Sequence, residues 1–213
     1  MRIGASVRRA FGPYERQVAA AYRAIYLDLD DFGRELARQV PQALRILEVG
    51  GGEGAVTEVL ARTYPAAQIL SIDITERIGR LYEGPRERIE FRHADVAEIA
   101  AAHPAAFDLV LVSDVIHHVP AALRQPFLAD IARCLAPAGR LAIKDWARTS
   151  TPIHCMCHAS DRWLTGDRVA FLTPAEMRAL VGQAVPALVP AQESRIGPWR
   201  NNFLQVYQCP PRP

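Results

Sequence analysis

Short apolar runs alternate with amphipathic stretches through the middle of the chain. The candidate strands cover residues 46–49, 68–72, 89–92, 107–114 and 140–145. Apolar runs bounded by polar residues or glycine are typical of strands buried on both faces of a parallel sheet. The intervening residues 55–64 and 120–135 repeat apolar side chains at helical spacing. This alternation predicts an α/β fold with a mostly parallel sheet.

The two ends of the chain follow other patterns. Apolar residues recur at helical spacing through residues 11–40, which predicts a pair of helices before the first strand. These helices either pack on the domain or form a cap that reaches a ligand. In the second case the reaching side chain would be Tyr14, Tyr22 or Tyr26. Near the end, residues 187–195 and 203–208 flank a Gly-Pro turn, which predicts a hairpin at a sheet edge.

Residues 146–172 have no clear period and carry His, Cys, Trp and Asp side chains. A long irregular connection of this kind predicts a functional lid. The capping-box pattern from Thr173 to Glu176 then starts a helix that we expect to end near residue 181. We expect a single domain with four parts: a helical N-terminal cap, a core, the lid, and a C-terminal helix with its hairpin. Their ranges are 1–41, 42–145, 146–172 and 173–213.

Composition narrows the class of partner. The 213 residues are half hydrophobic and suffice for one domain with a substantial core. A formal charge of +2 predicts neither a nucleic-acid nor an acidic-membrane partner. We find no apolar run of about 18 residues and no apolar secretory signal, so we expect a cytoplasmic protein. The 4 cysteines do not resemble a disulfide framework and are expected to be reduced.

The glycine-rich segment after the first strand is the clearest candidate site. Residues 45–54 read Arg-Ile-Leu-Glu-Val-Gly-Gly-Gly-Glu-Gly, so glycines stand where a strand turns into a helix. Glycine lets a ligand press against bare backbone, and the free N–H groups of the helix face that ligand. Asp73 ends the second strand, where a carboxylate accepts hydrogen bonds from both ribose hydroxyls, unless it caps a helix at residues 75–82. The pattern predicts a nucleotide site, and it also fits the dinucleotide motif G-x-G-x-x-G/A.

Together the motifs resemble those of the class I S-adenosylmethionine-dependent methyltransferases. Residues 48–54 look like the family's E/D-x-G-x-G-x-G loop, Asp73 like its ribose-binding acid, and Asp95-Val96 like its adenine-side pair. Residues 107–114 look like its fourth-strand motif, and residues 135–141 like its leucine-x-proline-glycine-type turn. The resemblance covers most of the chain. It implies a Rossmann-like, doubly wound, seven-stranded and mostly parallel sheet that closes with an antiparallel strand.

The resemblance also implies S-adenosylmethionine as the cofactor. The cofactor-binding residues that it implies are Glu48, Gly50, Gly52, Asp73, Ile74, Asp95, Val96 and Ser113. For Asp95, capping a helix and holding an adenine amino group stay open as alternatives. Glu53 departs from the family's pattern and either lies near the cationic sulfonium or points to solvent. Residues 115–119, with their paired histidines, are similar to those of small-molecule methyltransferases, which implies a small-molecule substrate with an oxygen, nitrogen or carbon acceptor.

Two histidines are the candidates for a catalytic base. Methyl transfer is an in-line displacement in which the protein mainly aligns donor and acceptor, so a base is needed only when the acceptor arrives protonated. His117 and His118 follow the carboxyl end of a central strand, where open α/β sheets bind ligands. We expect His117 to accept the proton, with Asp114 orienting its imidazole and His118 as second choice. The alternative is a histidine that packs on the adenosine or caps a helix at Pro120.

The lid and the last turn supply candidate acceptor contacts. His154-Cys155-Met156-Cys157-His158 suggests zinc, but Cys-x-Cys is tighter than the usual chelate, so we expect no metal. We expect this segment to line the acceptor pocket. The candidate acceptor-binding residues are Tyr14, His154, Trp163 and Asn202, with Trp146 and Asp161 beside them. Asn202 alternatively caps its turn.

Two other functions remain as alternatives. One is a protein that binds S-adenosylmethionine for a structural or non-methylating role. The other is an RNA methyltransferase, which predicts a basic face and salt-sensitive RNA binding. Oligomeric state stays open.

Overall fold

The structure, a computed structural model, describes residues 14–160 and 169–209. The strands are β1 (Arg45–Val49), β2 (Gln68–Asp73), β3 (Ile89–His93), β4 (Phe107–Ser113), β5 (Leu135–Trp146), β6 (Val189–Ile196) and β7 (Asn202–Gln208). They form a seven-stranded sheet in the order β3-β2-β1-β4-β5-β7-β6. The first five strands pair in parallel, and β7 is antiparallel to both β5 and β6. The predicted Rossmann-like sheet with its antiparallel terminal hairpin is confirmed.

Helices cover both faces of this sheet. They are α1 (Glu15–Tyr26), α2 (Leu29–Gln39), α3 (Ala55–Thr63), α4 (Val96–Ala102), α5 (Arg124–Cys134), α6 (Pro152–Ser160) and α7 (Pro174–Ala184), with a 3-10 turn at Ala121–Leu123 before α5. Strand residues alternate between the two faces. Leu47 and Val110 therefore enter one core cluster, whereas Ile46 and Leu109 enter the other. The apolar runs in β1 and β4 reflect burial on both sides.

The N-terminal helices pack on the sheet and on the C-terminal hairpin. Asp28 caps α2 by accepting from the backbone N–H groups of Asp30 and Asp31, and the apolar face of α2 buries Phe32 and Leu36 completely. At the end of α1, the Tyr26 carbonyl accepts a hydrogen bond of 2.6 Å from Asn202 Nδ2. The pair of helices expected at residues 11–40 is present, and α1 lies beside the carboxyl edge of the sheet.

Three local expectations differ from the structure. The expected turn at residues 136–139 belongs to β5, which pairs with Phe107 through Leu135 and resumes at Arg140 after a register shift. The lid, expected to be irregular, contains the helix α6. The helix at residues 75–82, considered as an alternative for Asp73, is a series of turns. Among the described residues, no helix is long and apolar enough to cross a membrane.

Candidate active site

A cavity of about 980 Å³ opens at the carboxyl ends of β1, β2 and β4. Its walls include nearly all of the residues expected to bind the cofactor: Gly50, Gly52, Asp73, Ile74, Asp95, Val96 and Ser113. The walls also include residues that were not expected to bind the cofactor, namely Arg23, Asp114 and Phe127. Ligands bind at this edge of open α/β sheets because the strand ends and helix N-termini converge there.

The glycine loop is held against the sheet by its own backbone. The N–H groups of Gly50 and Gly51 both donate to the Ile72 carbonyl, at 2.9 and 3.0 Å. Gly50 has a φ of 88°, and a Cβ placed there would lie 2.2 Å from Val115 Cγ2. Only glycine fits this position without displacing the turn after β4. The loop therefore offers bare backbone to the cavity.

Asp73 joins the end of β2 to the glycine loop. Its Oδ2 accepts from Gly52 N and its Oδ1 accepts from Thr75 N, each at 2.9 Å. Both carboxylate oxygens keep lone pairs for further donors. The carboxylate is thus fixed in direction while it lines the cavity, which suits a ligand that carries two neighbouring hydroxyl groups.

Glu48 lies beneath the loop, and the cavity walls do not include it. It is completely buried, and its Oε2 accepts a 2.6 Å hydrogen bond from Thr57 Oγ1. Its Oε1 has no hydrogen-bond partner in the described part of the chain. Burial raises the pKa of the Glu48 carboxyl to about 7, although hydrogen bonds from Thr57 and Ser71 act in the opposite direction. Glu48 therefore joins β1 to α3 and does not reach the cavity.

Asp95 begins α4. Its Oδ1 accepts from Glu98 N at 2.9 Å, so the capping interpretation is correct, and the residue also lines the cavity. Glu53 forms an ion pair of 3.0 Å with Arg80 at the cavity wall. We expected Glu53 either to lie near the ligand or to point to solvent. Neither alternative included its ion pair with Arg80, which partly neutralises the Glu53 carboxylate.

A buried histidine–aspartate pair lies behind His118, which lines the cavity; His117 and Asp145 themselves are not among the wall residues. His117 Nδ1 and Asp145 Oδ1 are 2.5 Å apart, and their side chains are 6% and 3% exposed. The same Oδ1 accepts from Trp146 N at 2.8 Å. With Asp145 ionised, Nδ1 carries a proton and Nε2 is left as the proton-accepting nitrogen. His118 lines the cavity, and its ring centroid is 4.2 Å from that of His117.

The expectation that Asp114 orients His117 is wrong. Asp114 forms an ion pair with the buried Lys144, with 2.5 Å between Oδ2 and Nζ. Lys144 and Asp145 are consecutive in β5, so their side chains point to opposite faces and hold different residues of the turn after β4. The sequence distance favoured Asp114, but the strand pairing of β4 and β5 selects Asp145.

Aromatic and imidazole rings gather around His117 on the side of the lid. We call His117, His154, His158 and Phe171 the aromatic cluster. Phe171 stacks on His117 with centroids 4.7 Å apart, and His154 and His158 lie 5.3 and 6.2 Å from Phe171. Trp146 Nε1 donates to His154 Nδ1 at 3.0 Å, which attaches α6 to the end of β5. Burial, together with His158 and Arg148, lowers the pKa of His154.

The other expected acceptor contacts are dispersed. Tyr14 is 67% exposed at the start of α1. Asn202 is buried and donates to the Tyr26 carbonyl. Trp163 and Asp161 lie outside the described residues. Within residues 14–160 and 169–209, no group of His, Cys, Asp and Glu side chains is arranged to hold a metal ion.

Arg23 is the cavity residue that sequence reasoning missed most clearly. It projects from α1 into the cavity wall, with Glu53, Glu58 and Asp114 as its charged neighbours. Burial lowers the pKa of its guanidinium, and these acids oppose that shift. Arginines recur through the chain, so no local pattern distinguishes this one.

Comparisons with known proteins agree with this geometry. Residues 47–143 match the family described as methyltransferase domain. A ubiquinone biosynthesis O-methyltransferase of Xanthomonas campestris pv. campestris (strain B100) is 28% identical over 175 residues, which cover 78% of this chain and 72% of that protein.

Two solved structures show the shared fold. The 1,6-didemethyltoxoflavin-N1-methyltransferase of Burkholderia thailandensis, solved with 1,6-didemethyltoxoflavin and S-adenosylhomocysteine, has a TM-score of 0.67 at 18% identity over 96% of this chain and 88% of that chain. Mitomycin 7-O-methyltransferase MmcR has a TM-score of 0.67 at 18% identity over 85% of this chain and 54% of that chain. Combined with the sequence match and the glycine-loop cavity, these findings support a class I methyltransferase with S-adenosylmethionine as the cofactor.

Proposed function

We propose that the chain methylates a hydroxyl group of a small molecule and that His117 removes the hydroxyl proton. The observation that carries this proposal is the buried His117–Asp145 pair, with 2.5 Å between Nδ1 and Oδ1. A neutral amine already offers a lone pair to an electrophilic methyl group, whereas a hydroxyl becomes a good nucleophile only as its proton leaves. An oriented base therefore favours an oxygen acceptor.

Asp145 gives His117 the properties that a base needs. It accepts from Nδ1, which makes Nε2 the basic nitrogen of the ring, and its negative charge stabilises the imidazolium that forms when Nε2 takes a proton. Trp146 N in turn fixes Asp145 Oδ1. His118 borders the cavity next to His117 and is the second candidate for the same role.

The cavity fits S-adenosylmethionine, which supplies a methyl group on a sulfonium centre when it is bound. Asp73 has the fixed carboxylate for the two ribose hydroxyls, and the Gly50–Gly52 backbone leaves room for close approach. Asp95, Val96 and Ile74 form the wall on which we place the adenine. Ser113 Oγ is buried at the cavity wall without a hydrogen-bond partner in the described part of the chain, so it has capacity for a cofactor group.

We assign the charged methionyl end of the cofactor to Arg23 and Asp114. That end carries a carboxylate and an ammonium group. Arg23 lines the cavity, and its guanidinium forms no hydrogen bond or ion pair with the described residues, so it can take the carboxylate. Asp114 lines the same wall and can take the ammonium through the oxygen not bound to Lys144.

The aromatic cluster supports a small acceptor on the lid side. His154 and Phe171 lie beside His117, so an acceptor placed near Nε2 would meet ring faces and imidazole nitrogens. We therefore propose His154 as an acceptor contact, together with Trp163 from the lid sequence. We propose no direct contact for Tyr14 or Asn202, because the first is exposed and the amide of the second is bound to Tyr26. The relative named for O-methylation in ubiquinone biosynthesis supports a hydroxyl acceptor.

A matched pair of acceptors tests this proposal. Release of S-adenosylhomocysteine is measured with a panel of phenols and catechols and with the anilines of the same rings. We expect turnover with at least one hydroxylated ring and much slower turnover with its aniline at neutral pH. Faster methylation of the anilines across the whole panel would contradict the assignment of a hydroxyl acceptor.

A further inference from the structure

Arg124 is a buried arginine that binds backbone carbonyls from two separate segments. It is the first residue of α5 and is 6% exposed. Its Nε donates to the Val119 carbonyl at 3.0 Å, and its Nη2 donates to the Ala170 carbonyl at 2.8 Å. These two carbonyls belong to the turn that carries the histidines and to the last residues of the lid.

The same two segments share a third hydrogen bond. Ala170 N donates to the His117 carbonyl at 2.8 Å. Phe171, the next residue, stacks on the His117 imidazole at 4.7 Å with 28° between the ring planes. We call Val119, Arg124 and Ala170 the arginine strap. The strap ends at Ala170, one residue before Phe171, whose ring covers the imidazole of His117.

Joining two carbonyls through a buried cation is energetically unfavourable. Removing a guanidinium from water costs free energy, and burial lowers the pKa of Arg124, with the charge of Asp145 opposing that shift. The planar fork of arginine nevertheless does what shorter side chains cannot. It donates in fixed directions to two acceptors on different segments. Arg124 thus fixes the relative position of the two segments that meet at His117.

We propose that Arg124 is a positioning residue for His117, which it fixes by holding Ala170 and Phe171 against the histidine turn. The inference rests on the proposed function, because Arg124 acts only through the His117 base. His117 is then held in three ways: at Nδ1 by Asp145, at its carbonyl by Ala170, and at its ring by Phe171. Arg124 is not part of the cavity wall, so its effect on cofactor binding is indirect.

The expected signature is a loss of turnover without a loss of cofactor affinity. Small displacements of a reacting group cost rate steeply, so Arg124→Met should lower kcat by roughly 10-fold or more. Its Kd for S-adenosylmethionine should stay within about 2-fold of the wild-type value. Arg124→Lys can still donate to one of the two carbonyls and should retain an intermediate kcat. Arg62→Met is the control. It removes an exposed arginine of α3 that pairs with Asp30, and its kcat should match that of the wild type.

A double-mutant cycle with His117→Ala separates this inference from the proposed function. If Arg124 acts through His117, His117→Ala/Arg124→Met should be no slower than His117→Ala alone, within about 2-fold. A further fall by the factor seen in the wild-type background would overturn the inference. If His117→Ala itself keeps full turnover, the proposed function fails. If His117→Ala is slow while Arg124→Met keeps the wild-type kcat, only the positioning role fails.

A second variant keeps the test decisive where Arg124→Met does not fold. Phe171→Leu removes the ring on His117 but leaves both strap hydrogen bonds possible, since they use the backbone of Ala170 and Val119. It should lower kcat in the wild-type background and have no further effect in His117→Ala. Wild-type kcat in Phe171→Leu would contradict a strap that works by covering the imidazole.

Discussion

The proposed cofactor half of the site is shaped mainly by backbone, whereas the proposed acceptor half is held by side chains. Around the glycine loop, the N–H groups of Gly50 and Gly51 bind the Ile72 carbonyl, and Gly52 N binds Asp73. On the other side, His117 depends on Asp145 for the direction of its ring. One half is a turn in which glycine geometry dominates, and the other is a set of contacts between distant segments.

The two halves should therefore be sensitive to different kinds of substitution. Backbone hydrogen bonds survive most side-chain changes but not an added Cβ at a crowded glycine. A side-chain dyad fails when one atom changes its hydrogen-bonding character, even if the shape is kept. We therefore expect isosteric substitutions to spare the cofactor half more than the acceptor half.

The largest effect is expected from Asp145→Asn. The amide keeps the shape but can donate to His117 Nδ1, which favours the tautomer whose proton is on Nε2 and removes the base. We expect kcat with a hydroxyl acceptor to fall roughly 10²- to 10⁴-fold while the cofactor Kd changes little. Asp108→Asn is the control: this carboxylate binds Leu44 N and Arg45 N at the opposite end of the sheet. Equal kcat values for Asp145→Asn and wild type would remove Asp145 from the mechanism.

Asp73→Ala should have the largest effect on the cofactor half. It removes the carboxylate that we place on the ribose, and each charge-assisted hydrogen bond contributes about 1.5–3 kcal/mol at most. The cofactor Kd, measured by calorimetry, should rise roughly 10²-fold. Asp73→Asn keeps one oxygen and should lose less. Unaltered affinity in the alanine variant would refute the ribose assignment.

Gly50→Ala tests the backbone account directly. Its Cβ would meet Val115 Cγ2 at 2.2 Å and the Ser113 carbonyl at 3.1 Å, on a residue with a φ of 88°. Strain of about 1–3 kcal/mol should appear in the free energy of unfolding or in cofactor affinity. Gly182→Ala is the matched control, because a Cβ there meets no atom within 4 Å and alanine favours the helix α7. Indistinguishable behaviour of the two variants would contradict a crowded glycine loop.

The smallest effect on activity is expected from Glu48→Gln, which instead changes the pH dependence of stability. Burial raises the Glu48 pKa from 4.5 to about 7, so the folded protein binds this proton more tightly than the unfolded chain. The contribution of Glu48 to stability therefore falls as pH rises from about 4.5 to 7, by on the order of 3 kcal/mol, and is level above that range. Urea unfolding across this range should show the slope in wild type but not in Glu48→Gln. The exposed Glu87→Gln should keep it; loss of the slope there as well would contradict the assignment to Glu48.

Much of the cofactor half could be predicted because its signals are local. Gly50, Gly52 and Asp73 lie near strand ends that the apolar pattern locates, and parallel pairing then brings them to one edge. Glu48 was harder to place, since a motif gives its presence but not the direction of its side chain. Its position in β1 turns it beneath the loop, toward Thr57.

The acceptor half could be predicted only in part because its contacts depend on strand register and on packing between distant segments. His117 could be proposed as the base from its place after β4. Its partner could not, since Asp145 becomes its neighbour only when β5 pairs beside β4. Arg23 and Arg124 lie on helices whose rotation is set by the core, and no local motif marks either one. The helix α6 was missed because its sequence carries no strong apolar period.

The most direct test of the central claim is the pH dependence of kcat for wild type and His117→Ala, with one confirmed hydroxyl acceptor. We predict that kcat of the wild type falls on the acidic side as the His117 imidazole becomes protonated. His117→Ala should be slower by roughly 10²-fold or more and should lose that acidic limb, with cofactor affinity nearly unchanged. An unchanged rate and an unchanged acidic limb in His117→Ala would contradict the account and leave alignment of the two substrates as the source of catalysis.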